Sequence, residues 1–180
     1  MIFSDLKITK SSTLRSLLIW LILGCLIRWI IIEPRWIPSG SMLPTLQIKD
    51  RILVERLRVD LHQAIPVNSI VVFRPPINLR SVGYDPKAAL VKRVVGRPGD
   101  KIEVKFGQLW RNNVQVATDW NFEQVNYSLP LITVPKNTLL VMGDNRNFSL
   151  DSHLWGPLPI EDLIGTVVWR YWPIKKLGII

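Results

Sequence analysis

One cysteine and two histidines are all that 180 residues offer of the side chains that most often hold metals or form disulfides. Cys25 stands alone inside an apolar segment, so neither an intramolecular disulfide nor a cysteine-based zinc site can form. His62 and His153 have no metal-ligand spacing, and each reads more readily as a surface polar residue than as a triad member. No H-E-x-x-H, G-x-S-x-G, G-x-G-x-x-G or P-loop pattern occurs, which removes zincin, α/β-hydrolase, dinucleotide and P-loop chemistry. No metal and no cofactor is expected. Basic runs are also missing. The net charge is +9, but the 23 Lys and Arg residues are scattered. That distribution argues against nucleic acid and fits a membrane surface better. Internal repeats, heptads and low-complexity tracts are absent as well.

What is present begins with one long apolar run. Leu17 to Ile32 is interrupted only by Arg28. As a helix it spans about 24 Å, a little short of a ~30 Å hydrocarbon core. Residues 16–35 are therefore expected to form a transmembrane anchor, completed at the interfaces by Ser12 to Ser16 and Glu33 to Trp36. Arg28 would snorkel, and Trp29 and Trp36 would sit in the interfacial belt. Lys7, Lys10 and Arg15 hold residues 1–15 in the cytoplasm by the positive-inside tendency and deliver residues 36–180 to the other side. No small-residue cleavage site follows the run, which argues against a removed signal peptide. Ile22-Leu23-Gly24-Cys25 faintly resembles a lipoprotein processing site, but apolar residues continue past it.

Beyond Trp36 the pattern changes to short strands between turn residues. Arg51 to Glu55, Ser69 to Phe73, Ala89 to Val95, Lys101 to Val104, Gln108 to Arg111, Val114 to Ala117, Leu131 to Val134, Thr138 to Met142 and Gly165 to Trp172 all read as strands. Arg97-Pro98-Gly99-Asp100 fits a type II turn and Asn112-Asn113 a tight hairpin. Ile77 to Lys87 reads as a loop, and Thr118 to Pro130 as irregular. The fold class is all-β and mostly antiparallel.

Two features carry chemistry. Pro38-Ser39-Gly40-Ser41-Met42-Leu43-Pro44 cannot be a helix interior and suits a sharp loop that presents a hydroxyl, although a plain linker has the same composition. In the strand around Val91, Lys92 falls on one face with Leu90 and Val94. A lysine in apolar surroundings has a lowered pKa and can serve as a base toward a serine hydroxyl. Spacing alone does not pair the two, since they lie on different elements.

Three ordered stretches carry a resemblance. Ile37 to Leu46 (IPSGSMLPTL), Val91-Lys92-Arg93-Val94-Val95-Gly96 with Pro98-Gly99-Asp100, and Gly143 to Pro159 (GDNRNFSLDSHLWGPLP) resemble the motif boxes of type I signal peptidases, the membrane-anchored Ser-Lys endopeptidases. The resemblance implies a signal-peptidase-like β domain with one N-terminal transmembrane helix, and a reduced second β subdomain of a hairpin or two at about residues 97–141. It implies removal of signal peptides from translocated preproteins after Ala-x-Ala-like sites. Ser41 would be the nucleophile and Lys92 the general base. The Ser41 N–H and the Ser39 hydroxyl would form the oxyanion hole, and Ser149 would hydrogen-bond and orient Lys92. Asp144, Asn145, Arg146 and Asp151 would brace the site, and Ile37, Met42, Leu46 and Val91 would line shallow pockets. Preproteins, the lipid bilayer and the translocation machinery are the implied partners, with no nucleic acid, at a bacterial plasma membrane or a thylakoid membrane. One departure stands out. His153 occupies a position where the family commonly has an arginine paired with the acid at Asp151. The compact insertion and single span look like the Gram-positive, cyanobacterial or plastid branches.

Other readings remain open at this point. A self-cleaving Ser-Lys repressor protease shares the core fold, but the anchor, the third motif and the lack of a DNA-binding helical domain argue against it. A catalytically silent, membrane-tethered binder of translocated chains is the alternative from another class. Trp169, Tyr171 and Trp172, with Lys175 and Lys176, fit either lipid contact or the domain core.

Overall fold

The structure is a computed structural model that describes residues 5–117 and 123–180, with the side chains of residues 13–26 described in the first helix. That helix, α1 (Asp5–Ile31), carries most of the apolar run. Leu17 to Leu23 are exposed without a gap, so no face of this stretch is covered by the domain. Among the described residues no helix is long and apolar enough to cross a membrane. The side chains of Lys7, Lys10, Ser12, Arg28 and Trp29 lie outside the described residues. The run also ends differently from the sequence expectation. Ile32–Trp36 leaves the helix as strand β1 and pairs with β2 (Arg51–Glu55), Pro34 opposite Leu53. A β-branched residue and a proline at this point disfavour further helix. Pro34 is tolerated in a strand because β1 is the edge of its sheet.

Two antiparallel sheets follow. The larger runs in the order β1, β2, β11 (Leu163–Trp172), β3 (Ile70–Phe73), β4 (Leu90–Gly96), β9 (Thr138–Met142) and β10 (Leu158–Pro159), with β12 (Gly178–Ile179) on β11. The smaller has four strands in the order β7 (Val114–Gln115), β6 (Gln108–Arg111), β5 (Lys101–Lys105) and β8 (Leu129–Thr133). Its four strands lie within residues 97–141, the span expected to hold a hairpin or two. Its turns follow the local chemistry: Gly99 takes a φ of 87° while the Asp100 N–H donates to the Arg97 carbonyl at 2.9 Å. Asn112 and Asn113 both have positive φ, as a type I′ hairpin requires. The single-turn helices α2 (Leu57–Asp60), α3 (Ile77–Arg80) and α4 (Ser152–Trp155) sit in connections. The α3 turn lies within the stretch expected to be loop.

Strand β3 is buried on both faces, which explains four consecutive apolar residues. Val71 and Phe73 join a core with Val94, Val141, Trp155 and Leu158. Ile70 and Val72 join another with Ile37, Met42, Leu46, Ile52 and Val54. A third core seats the small sheet on the large one: Val95, Leu140 and Met142 meet Ile102, Val104 and Leu109. Each fully buried side chain of this size contributes about 1.5–3 kcal/mol. The functional stretches therefore hang on a frame fixed from three sides.

Candidate active site

The serine loop lies between β1 and β2. Its neck is closed by the Ile37 N–H donating to the Asp50 carbonyl at 2.9 Å and the Lys49 N–H donating to the Ile37 carbonyl at 2.8 Å. A turn with the Leu43 N–H on the Gly40 carbonyl, at 3.1 Å, shapes the tip. Met42 and Leu46, both essentially buried, pin the loop to the core beneath. From the other side Arg170 Nη1 donates to the Thr45 carbonyl at 2.9 Å and to Asp50 Oδ2 at 3.2 Å. Ser41 is left half-buried at the tip.

Lys92 reaches Ser41 from β4. In register its Cα faces Val71, so it enters the core side of a central strand and is only 4% exposed. Its Nζ donates to Ser41 Oγ at 2.6 Å. Burial pulls the Lys92 pKa down from 10.5 to about 8, while the charges of Asp151 and Asp144 oppose that fall. An amine with a pKa near 8 can, once neutral, accept from the Ser41 hydroxyl across the same contact. Ser39 is exposed, with its Oγ 3.5 Å from Ser41 Oγ.

The third stretch wraps this pair. The Asn145 N–H donates to the Ser41 carbonyl at 3.1 Å, and Asn145 Nδ2 donates to the Gly40 carbonyl at 3.2 Å. Asp144 accepts from Thr45 Oγ1 at 2.6 Å and from the Arg93 fork at 2.8 and 2.7 Å. Arg146 is buried and donates to the Gly143 carbonyl at 2.9 Å, its pKa drawn down by burial. Asp151 is fully buried. Its Oδ2 accepts from the Gly143 N–H at 2.8 Å, and its Oδ1 lies 2.8 Å from His153 Nδ1. Gly143 has to be glycine. A Cβ there would lie 2.2 Å from Ser149 Oγ and 2.4 Å from the Ser41 carbonyl oxygen.

Several expectations need correction. Ser149 does not hydrogen-bond Lys92: its Oγ is buried with no partner among the described residues, because Lys92 is directed to Ser41. Ile37, Met42 and Leu46 gather under the loop as core, at 2%, 1% and 0% exposure, so they floor the site and do not line open pockets. Val91 alone of that set is partly exposed. His153 is not a surface residue; it is tied to Asp151 and stacked on Tyr127, with ring centroids 4.0 Å apart. Of the C-terminal cluster, Trp169 and Tyr171 are partly buried, and Trp172 is exposed.

Arg93, Thr45 and Tyr127 went unassigned in the sequence reading. Arg93 had a signal: an arginine between apolar residues of a buried strand needs an acid of its own. Tyr127 had none, because it meets the site from the other sheet. No group of three or more metal-ligating side chains occurs among the described residues. A cleft of about 1070 Å³ lies elsewhere, lined from β1, α2, β10 and β11, and includes Arg35, Arg56 and Arg74 but neither Ser41 nor Lys92.

Comparison with known proteins gives a consistent picture. The family profile for signal peptidase, peptidase S26, matches residues 10–172. A probable signal peptidase I-1 of Synechocystis is 42% identical over 162 residues, covering 90% of this chain and 82% of that protein. A probable chloroplastic thylakoidal processing peptidase 2 of Arabidopsis thaliana is also 42% identical, over 153 residues. There the match covers 85% of this chain and 41% of the plant protein. A solved signal peptidase I from Enterococcus faecalis is 23% identical with a TM-score of 0.47, covering 58% of this chain and 97% of that one.

Proposed function

The chain belongs to the signal peptidase family, peptidase S26, a family of serine endopeptidases, and from that premise we propose that it removes signal peptides from translocated preproteins with a Ser41–Lys92 dyad. The observation that carries the reading is the 2.6 Å contact between Lys92 Nζ and Ser41 Oγ, made by a lysine whose burial brings its pKa to about 8.

The contact between Lys92 and Ser41 supports the following steps. Neutral Lys92 takes the Ser41 proton as Oγ attacks the scissile carbonyl carbon. The carbonyl oxygen becomes an oxyanion, held by the Ser41 N–H and the Ser39 hydroxyl. The intermediate collapses, the C–N bond breaks, and the Lys92 ammonium gives its proton to the leaving amine. Water then attacks the acyl-enzyme, with Lys92 accepting its proton, and Ser41 is regenerated. Asp144, Asn145, Arg146 and Asp151 keep the loop and the turn at Gly143 in place. A preference for Ala-x-Ala before the cut belongs to the same proposal, and Val91, the partly exposed residue of the expected lining, would limit the size of the substrate side chain.

In this reading α1 is a single-pass anchor, with Lys7, Lys10 and Arg15 on the cytoplasmic side and the β domain outside, at a bacterial plasma membrane or a thylakoid membrane near the translocation machinery. Exposed apolar residues along Leu17 to Leu23 support it. Exposed Trp36, Trp172 and Ile174 beside Lys175 and Lys176 suit contact with lipid. The test is cleavage of an Ala-x-Ala preprotein by the detergent-solubilised full chain, with N-terminal sequencing of the product. Ser41→Ala and Lys92→Ala should each abolish cleavage, and undiminished cleavage by either rejects the dyad.

A further inference from the structure

Tyr127 takes no part in the dyad, yet through it the small sheet reaches the site. It lies between β7 and β8, and its ring is stacked on the His153 imidazole with an interplanar angle of 11°. His153 in turn meets Asp151 Oδ1 twice, through Nδ1 at 2.8 Å and through its backbone N–H at 3.2 Å. The other oxygen of Asp151 holds the Gly143 N–H, and Gly143 is packed against Ser149 and the Ser41 carbonyl. A second tie joins the same segments. The Asn126 N–H donates to Asn147 Oδ1 at 2.9 Å, and Asn147 Nδ2 donates to the Gln124 carbonyl at 3.0 Å. The Tyr127 hydroxyl is buried without a partner among the described residues, so the ring face alone makes the contact.

We propose that Tyr127 is a positioning residue for the dyad: its ring holds the His153 imidazole against Asp151, and Asp151 so held fixes both the Gly143 turn and the charge that Lys92 faces. The inference rests on the dyad reading above. The charged and titratable groups around Lys92 are Asp151, Asp144 with the Arg93 fork upon it, and Arg146 beside both acids, with His153 and Tyr127 behind Asp151. Releasing the imidazole removes one partner from Asp151. Its negative charge then acts more strongly on Lys92 and favours the protonated amine.

The experiment is kcat/KM against pH for the full chain in detergent, with a fluorogenic peptide carrying an Ala-x-Ala site. Tyr127→Ala should lower kcat about tenfold and move the ascending limb up by about half a pH unit. Tyr127→Phe should restore the limb to its wild-type position. In a His153→Gln background Tyr127→Ala should move the limb no further. If Tyr127→Ala does not fold, Tyr127→Leu, which keeps apolar bulk without a ring face, is read in its place. A limb that stays at its wild-type pH while only the amplitude falls overturns the inference, as does a further shift in the His153→Gln background. Ser41→Ala separates the two failures: if it still cleaves, the dyad reading fails, and if it is dead while the limb stays put, this inference fails alone.

Discussion

Replacing Lys92 by methionine should stabilise the protein at neutral pH while abolishing cleavage. Lys92 is 4% exposed, and burial takes its pKa from 10.5 to about 8. That displacement corresponds to about 3 kcal/mol of free energy. The sign follows from proton binding. The folded pKa is the lower one, so between pH 8 and 10.5 the unfolded chain holds the extra proton and wild-type stability rises with pH. Below pH 8 the full penalty stands. Lys92→Met has no such penalty but loses the hydrogen bond to Ser41, about 1 kcal/mol. The net gain near pH 7 is about 2 kcal/mol, or roughly 4–8 °C in Tm for a chain of this size. Toward pH 10 the gain should vanish. Thermal denaturation of the solubilised full chain from pH 6 to 10 measures this, for both proteins side by side. The kinetic counterpart is that a base of pKa about 8 is neutral in roughly one molecule in ten at pH 7, against about one in three thousand for an ordinary lysine. Wild-type kcat/KM should therefore climb close to tenfold per pH unit below about pH 7, bend near pH 8 and level above about pH 9. A variant that melts at or below wild type at pH 7, by a gap that does not change with pH, refutes the claim that Lys92 is held partly neutral by burial.

Asp144→Asn leaves Arg93 buried opposite a neutral amide and should cost about 3–5 kcal/mol in denaturant titrations; a loss under 1 kcal/mol would mean the pair is solvated. Ser149→Ala removes a buried hydroxyl without a partner, so Tm should hold or rise, by up to about 1 kcal/mol in stability. With no bond from that hydroxyl to Lys92, kcat should hold near the wild-type value; a loss of about tenfold would show that the hydroxyl acts on the amine during turnover. His153→Arg keeps a donor toward Asp151 and a planar cation over Tyr127, so peptide cleavage should persist, with the ascending limb of the pH profile unmoved or shifted to lower pH. Complete loss would show that the imidazole itself is required.

Where a segment's own residues determine its structure, the sequence was a good guide. Strands β2 and β6 fall on the residues that alternation picked out, Arg51–Glu55 and Gln108–Arg111. The Pro98-Gly99 and Asn112-Asn113 turns took the backbone angles that glycine and asparagine tolerate. Strand β1 was hidden because Pro34 normally argues against a strand, and only its place at the sheet edge makes it acceptable. The site was legible as three stretches but not as contacts. Lys92 and Ser41 are 51 positions apart, and a strand pattern gives the face of a side chain but not what lies across from it. The same holds for Ser149, whose hydroxyl was assigned to Lys92 and stands free of it among the described residues. Tyr127 was least accessible of all, since it approaches the third stretch from the connection between two strands of the other sheet.

The acids around the dyad work against its chemistry and are kept for another reason. Both Asp151 and Asp144 raise the Lys92 pKa, and a base is better served without them. Their value is geometric: Asp144 holds the serine loop through Thr45, and Asp151 holds the turn at Gly143. Each therefore comes with a group that contains its charge. Arg93 covers Asp144 with a two-pronged, buried contact, and His153 meets Asp151 through its Nδ1. The two covers differ in kind. Arginine grips its acid with a rigid two-pronged fork, whereas a histidine meets its acid through one ring nitrogen and depends on how the ring is held. Asp144 is thus a fixed background to Lys92, while Asp151 is the adjustable one. The residue that sets the ring of His153 is consequently the one with leverage on the base, which is why a tyrosine from the second sheet matters to a serine on the first.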